Sequence, residues 1–284
     1  MAKKIFVGVN DVARRVKRIY VGVNGVARRV TKVYVGVNNI ARLAFANEKV
    51  DNVTSLSTAR TSLAGASVGN YALFAGGYGG SGSTEYKTVD AYNKSLTRST
   101  PTALSKAREN LAGASVGNYA LFAGGYYFHD EAYSSVVDAY NKSLTRSTPT
   151  ALSVARDNLA GASVGSYALF AGGYGDSSSR NTVNAYNTSL TRSTPTALSV
   201  ARTSLAGASV GNYALFAGGG TSFNTVDAYN ASLTRSIFIE LSVGRSYLAG
   251  ASVGNYALFA GGDYKKGTSY YYINTVDAYD VSNL

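Results

Sequence analysis

The fifteen residues Leu63–Gly77, LAGASVGNYALFAGG, recur almost letter for letter from Leu111, Leu159, Leu205 and Leu248. The steps between copies are 48, 48, 46 and 43 residues. That is the span of a four-stranded propeller blade, and no helical period of apolar residues competes with it. Within one unit the pattern predicts strand A over LAGASV, a Gly-Asn turn, strand B over YALFAGG, a variable insert, strand C over TVDAYN and strand D near LTRSTP. Such a meander places strand A, rich in Ala and Gly, at a narrow axis; the plainer alternative is a strand that is merely weak.

Working outward, the last unit stops at TVDAYDVSNL without a strand D, while KVDNVTSLSTAR (Lys49–Arg60) precedes the first strand A and ends like TRSTPTALSKAR (Thr97–Arg108). The expectation is five blades, with residues 49–55 completing the fifth beside Val276–Tyr279 and leaving no open edge. Upstream lies a different repeat. KKIFVGVNDVARRV, KRIYVGVNGVARRV and TKVYVGVNNIARLA begin at Lys3, Lys17 and Thr31, a step of 14, and Asn-Asp, Asn-Gly or Asn-Asn divides each into two β-rich runs. Asn and Gly tolerate the positive φ of a type I′ turn, so each unit reads as a hairpin.

Charge marks the same boundary. Residues 1–46 hold ten Lys or Arg against Asp11 alone, so +9 of the formal net +11 falls there. The chain is thus expected to be all-β: a basic three-hairpin module over 1–46 and a five-bladed propeller over 47–284. Six short strands bury too little to stand alone, so the module is expected to oligomerise, with a trimer favoured, or to dock on a larger particle. Nucleic-acid binding is disfavoured for it, since no such motif appears and Phe6, Tyr20 and Tyr34 sit at matching repeat positions. Cysteine is absent, which excludes disulfides and thiolate metal sites. No apolar run has the length of a signal peptide or a membrane span.

Gly76-Gly77, Gly124-Gly125, Gly172-Gly173, Gly218-Gly219 and Gly261-Gly262 each close an apolar strand, a Tyr follows in the next strand, and an Arg opens each unit. Together these features resemble the kelch repeat over residues 50–284. The outer-strand Trp of that repeat is missing, with Leu96, Leu144, Leu190 and Leu233 in the corresponding stretch. Kelch propellers include copper radical oxidases, whose site needs several His and a Cys joined to Tyr; this chain has His129 alone and no Cys. His129, Asp130 and Glu131 lack ligand spacing, no hydrolase, P-loop or zinc motif occurs, and no cofactor is expected.

The B–C inserts, in contrast to their near-identical frame, differ in every copy: Tyr78–Lys87, Tyr126–Ser135, Tyr174–Asn181, Gly220–Asn224 and Asp263–Asn274. In a meander they emerge on one face with the D–A connections. Drift of solvent loops explains their variety; recognition also explains their richness in Tyr, Ser, Gly and Asn. Tyr86, Tyr126, Tyr127, Phe128, Tyr133, Tyr264, Tyr270, Tyr271 and Tyr272 are the candidate contact residues. Arg60, Arg108, Arg156, Arg202 and Arg245 reach the same face, either as a ring for a sulfate, phosphate or sugar acid or, as more often, paired with Asp90, Asp138, Asp227 and Asp277.

The hairpin repeats leading into VGNYALFAGG and AYNTSLTRSTPTALS resemble structural proteins of phages and prophages of Gram-positive bacteria. That resemblance implies a non-enzymatic, tail-associated protein of a virion or phage-like particle, assembled in the bacterial cytoplasm. Its module would attach to other particle subunits, and its inserts would contact a host-surface glycan or protein. The alternatives are a decoration protein that contacts only particle subunits and, more weakly, a sugar-modifying kelch enzyme.

Overall fold

A computed structural model describes residues 53–80 and 84–282 and, before them, the backbone of six strands. The chain divides into two compact units, Met1–Val53 and Thr54–Leu284. Among the described residues no helix is long and apolar enough to cross a membrane.

In the first unit each 14-residue repeat is its own two-stranded antiparallel sheet. Phe6–Val9 pairs with Val12–Arg15, Tyr20–Val23 with Val26–Arg29, and Lys32–Val37 with Ile40–Ala46. Val9 opposite Val12 and Val23 opposite Val26 leave two-residue turns, the spacing that Asn-Asp and Asn-Gly favour.

The second unit is a five-bladed, kelch-like β-propeller. Strands A and B are Ala64–Val68 and Tyr71–Ala75 in blade 1, Ala112–Val116 and Tyr119–Ala123 in blade 2, and Ala160–Val164 and Tyr167–Ala171 in blade 3. They are Ala206–Val210 and Tyr213–Ala217 in blade 4, and Ala249–Val253 and Tyr256–Ala260 in blade 5. Strand C is Val89–Tyr92, Val137–Asn141, Val183–Asn187, Val226–Asn230 and Val276–Asp280. A short strand D (Arg98–Ser99, Arg146–Ser147, Arg192–Ser193, Arg235–Ile237) completes blades 1 to 4, each ordered A-B-C-D.

Period-two alternation sorts the side chains into two faces. On the leaving face of blade 2, Ala112, Ala114, Val116, Leu121, Ala123, Val137 and Ala139 pack against Ala168, Phe170 and Tyr186 on the entering face of blade 3. The same residue types meet between blades 1 and 2, 3 and 4, and 4 and 5. Successive A strands touch along the axis, where a Cβ on Gly113 would overlap the carbonyl of Gly65. That closeness is what the small residues of strand A permit. At the outer edge the D–A linker fills the wedge. The buried Leu104 donates its N–H to Lys87 O of the preceding blade (2.8 Å), while Thr102 O accepts from the Tyr140 hydroxyl of the next (2.8 Å).

Of two sequence expectations, one falls mostly outside the described residues and the other changes. The segment 49–55, expected as the fifth blade's outer strand, is described only from Val53, and blade 5 carries three described strands. Thr54 O and Ser55 O accept from the Tyr92 hydroxyl and the Arg98 guanidinium of blade 1, the first of these as Thr102 O accepts from Tyr140. Over the described residues the likeness of Lys49–Arg60 to Thr97–Arg108 is that of a wedge-filling linker, while Val50 and Asp51, in register with the strand D residues Arg98 and Ser99, lie outside the described residues. Leu96, Leu144, Leu190 and Leu233 likewise lie in the C–D turn at positive φ. There Asn93 and its equivalents cap the backbone N–H groups two and four residues on.

Candidate ligand-binding face

The rim is built from two sequence features that meet in space. Each of the inserts of blades 1, 2, 3 and 5 forms a small hairpin, as in Tyr126–Tyr127 against Ala132–Tyr133. The residue after the buried Arg of the same blade bridges to the hairpin's first residue: Thr61 to Tyr78, Glu109 to Tyr126, Asp157 to Tyr174 and Ser246 to Asp263. The D–A connections and the inserts therefore share one surface, as the meander requires.

On blades 1 to 3 that surface is an aromatic band. Tyr126 and Tyr133 are cross-strand partners with ring centroids 5.3 Å apart, and Tyr133 meets Tyr174 of blade 3 edge-on at 5.8 Å. Tyr78 of blade 1 packs on Phe128 at 5.7 Å. Carboxylates lie under the band. Asp157 and Glu85 are nearly buried and Glu109 is half-buried. Burial pushes the Asp157 carboxyl up to about 6, opposed by the amide of Asn158 and reinforced by Glu109. Burial also raises Glu109, with Glu85 adding to the rise, and it raises the Tyr133 phenol, with Asp157 next among the causes. Charged forms are disfavoured on both counts, desolvation and like charge.

Strand parity decides which aromatics take part. Tyr126 and Tyr133 face outward, but Tyr127 points inward. It is buried, its hydroxyl bonds Ser134 Oγ at 2.7 Å, and Lys106 Nζ lies 3.9 Å from its ring centroid. The expectation that Tyr127 is an exposed contact residue is corrected: in a two-residue strand, neighbouring side chains take opposite faces. Phe128 is exposed in the turn, and Tyr86 is half-buried with its hydroxyl near Gly80. The blade 5 hairpin carries a second cluster, with Tyr264 stacked on Tyr271 at 5.5 Å and Tyr270, Tyr271 and Tyr272 exposed. The sequence reading missed Tyr78, Tyr174, Glu85, Glu109 and Asp157. The Tyr after each of the first three Gly-Gly pairs and the residue after each Arg were the available signals.

The five arginines do not form an anion ring. Arg60, Arg108, Arg202 and Arg245 are enclosed and pair with Asp90, Asp138, Asp227 and Asp277 at 2.8–2.9 Å. Each also donates to a strand B carbonyl: Phe74, Phe122, Phe216 or Phe259. Arg156 donates to Phe170 O and to Asn184 Oδ1. Internal partners thus hold all five guanidiniums, as the pairing alternative requires. His129 Nε2 lies 3.3 Å from Glu85 Oε2, and Asp130 pairs with Lys106. Among the described residues no group of three or more His, Cys, Asp or Glu is placed to hold a metal ion.

Fold and rim define a kelch-like β-propeller with an aromatic, acid-lined insert face. Comparison with solved structures agrees on the fold. A protein described as "Structure of YjhT", a kelch-type propeller, superposes with a TM-score of 0.65 at 13% identity, covering 89% of each chain. No family model matches the chain, and no curated protein sequence matches it.

Proposed function

We propose that the chain is a non-enzymatic recognition protein of a phage-like particle, whose insert face binds a host-surface saccharide while the N-terminal hairpin module attaches to other particle subunits. One observation carries the binding reading: the run Tyr126–Tyr133–Tyr174 stands above Glu109 and Asp157. Pyranose C–H faces stack on aromatic faces, and sugar hydroxyls donate to carboxylates, so this pairing of groups suits a carbohydrate. The acid row beneath the band, with every blade guanidinium engaged internally, favours neutral or amino sugars over sugar acids. This revises the ligand class expected from an arginine ring.

The test is adsorption of the full chain to isolated Gram-positive cell walls, with Tyr133→Ala and Tyr271→Ala variants run in parallel. Tyr133→Ala is expected to reduce adsorption and Tyr271→Ala to change it less, because the blade 5 cluster lacks the carboxylate row. Failure of the unmodified chain to adsorb to any wall preparation would favour the decoration reading, in which the propeller meets only particle subunits.

A further inference from the structure

Glu109 and Asp157 occupy a slot that the other blades fill without charge. The residue after the buried Arg is Thr61, Thr203 and Ser246 in blades 1, 4 and 5. In blades 2 and 3 the slot residue and the first hairpin residue exchange both backbone hydrogen bonds, which sets their side chains on one side of the pair. Glu109 therefore shares a side with Tyr126, and Asp157 with Tyr174. Blade 5 shows the contact such a pair can make without a charge in the slot, where Ser246 Oγ donates to Asp263 Oδ1 at 2.6 Å. The slot is acidic in the two blades that supply the Tyr126–Tyr133–Tyr174 run and in no other.

The surroundings of these two acids differ from those of the carboxylates inside the blades. Asp90, Asp138 and Asp227 each face a guanidinium. Asp157 is nearly as enclosed, at 8% exposure, yet its Oδ2 accepts from the Asn158 amide at 2.8 Å and its Oδ1 has no hydrogen-bond partner. The charged groups near enough to act on this pair are other acids: Glu109 acts on Asp157, and Glu85 acts on Glu109. Like charges gathered in a desolvated place cost stability, and groups kept there at such a cost mark a functional site. Among the described residues these acids do not close round a metal ion. The cation that suits them arrives on the ligand.

We propose that the acid row takes the ammonium group of an amine-bearing saccharide, which narrows the ligand from neutral or amino sugars to sugars with a free, protonated amine. The proposal rests on the reading of the band as a saccharide platform. A pyranose that lays its C–H face on a tyrosine ring directs its equatorial substituents past the ring edge, toward the carboxylates beneath. An ammonium brings three donors, enough for the half-buried Glu109 and for the unpartnered Asp157 Oδ1 together. An acetamide brings one N–H and no charge, and a sugar acid is repelled. Bulk charge does not draw such a ligand, because the chain carries a formal +11. The attraction is local to the row.

The probes are β-1,4-linked glucose tetramers that differ at C2 alone, which bears a hydroxyl, an acetamide or an amine. Each is titrated by calorimetry at about pH 6.5 into the full chain and into Glu109→Gln, Asp157→Asn and Tyr133→Ala variants. The amine tetramer should bind the unmodified chain at least about tenfold more tightly than the hydroxyl tetramer, the scale of a charge-assisted hydrogen bond. Glu109→Gln and Asp157→Asn should each cut that preference at least about threefold, with the hydroxyl tetramer bound as before. The preference is a ratio taken on one protein sample, so a partly unfolded variant does not mimic its loss. Tyr133→Ala should weaken all three tetramers and keep the preference. No binding of the amine tetramer, no preference for it, or a preference that survives both carboxylate variants would overturn the proposal. A full amine preference with Tyr133→Ala binding every tetramer as the parent does would instead sink stacking on the band, the reading beneath it.

Discussion

Asn184 Oδ1 accepts a hydrogen bond from the Arg156 guanidinium at 3.1 Å, in the blade where the carboxylate that the other four set against this arginine is replaced by an amide. Burial, uncompensated by a carboxylate, pulls Arg156 down to about 10. Three hydrogen bonds satisfy its terminal nitrogens, but they supply dipoles where blades 1, 2, 4 and 5 supply a charge.

Restoring that charge should stabilise the propeller. Asn184→Asp replaces a neutral acceptor by a carboxylate, and Ser153 can donate to it as Ser105 does to Asp138. The expected gain is about 1–3 kcal/mol, the range of a charge-assisted bond, read as a shift in urea midpoint at neutral pH. No gain, or a loss, would mean that desolvating a second buried charge outweighs the pair.

Asp157 should give stability a pH dependence of its own. Its carboxyl is raised from 3.8 to about 6 in the folded chain, so its protonated form is the better-tolerated one. Its contribution is fully present below 3.8 and is lost as pH rises through about 6. Asp157→Asn should therefore melt higher than the parent at pH 8, by about 1–2 kcal/mol after allowance for solvent screening. At pH 3.5 the two should differ little. Thermal melts at the two pH values decide it; an equal difference at both would exclude Asp157 as the titrating group.

The inward Tyr127 and the outward Phe128 should separate cleanly. Tyr127→Ala removes a buried ring, its bond to Ser134 and its contact with Lys106, at an expected cost of about 2–4 kcal/mol. Phe128→Ala should stay within about 0.5 kcal/mol. Calorimetric melting of the two single variants checks both, and equal melting temperatures would refute the assigned parity.

Tyr247 holds φ at +53° and is largely exposed, at a slot where blades 2 and 3 place Asn110 and Asn158. Asn accepts this left-handed geometry more readily than an aromatic residue does. Tyr247→Asn should therefore raise stability by about 0.5–1 kcal/mol, measurable as a higher denaturant midpoint.

The blades were legible because each LAGASV–YALFAGG pair states its own alternation, turn and length. The Arg–Asp pairing was legible as one of two alternatives, since both residues recur once per blade, and burial selects between them. One feature was hidden for a local reason. Strands of two residues, such as Tyr126–Tyr127, are too short for alternation to show which side chain faces out. The likeness of Lys49–Arg60 to Thr97–Arg108 is legible in the linker residues Leu56 to Arg60, which fill the wedge, while Val50 and Asp51, in register with the strand D residues Arg98 and Ser99, lie outside the described residues. The acid row was invisible because Glu85, Glu109 and Asp157 come from different blades and meet only at the rim.

Binding at the rim is tested most directly by titrating soluble wall saccharide, released from the walls that adsorb the protein, into the full chain and into a Tyr133→Ala, Tyr174→Ala double variant by calorimetry. The band should be the binding surface, so the double variant is expected to bind at least about tenfold more weakly, the loss of roughly 1.4 kcal/mol or more that removing aromatic anchors produces. Its melting temperature should stay near that of the parent, because both rings lie on the rim, outside the buried core between the blades, and the contact they make across blades 2 and 3 is with each other. Equal affinity in the two proteins would contradict recognition through the aromatic band.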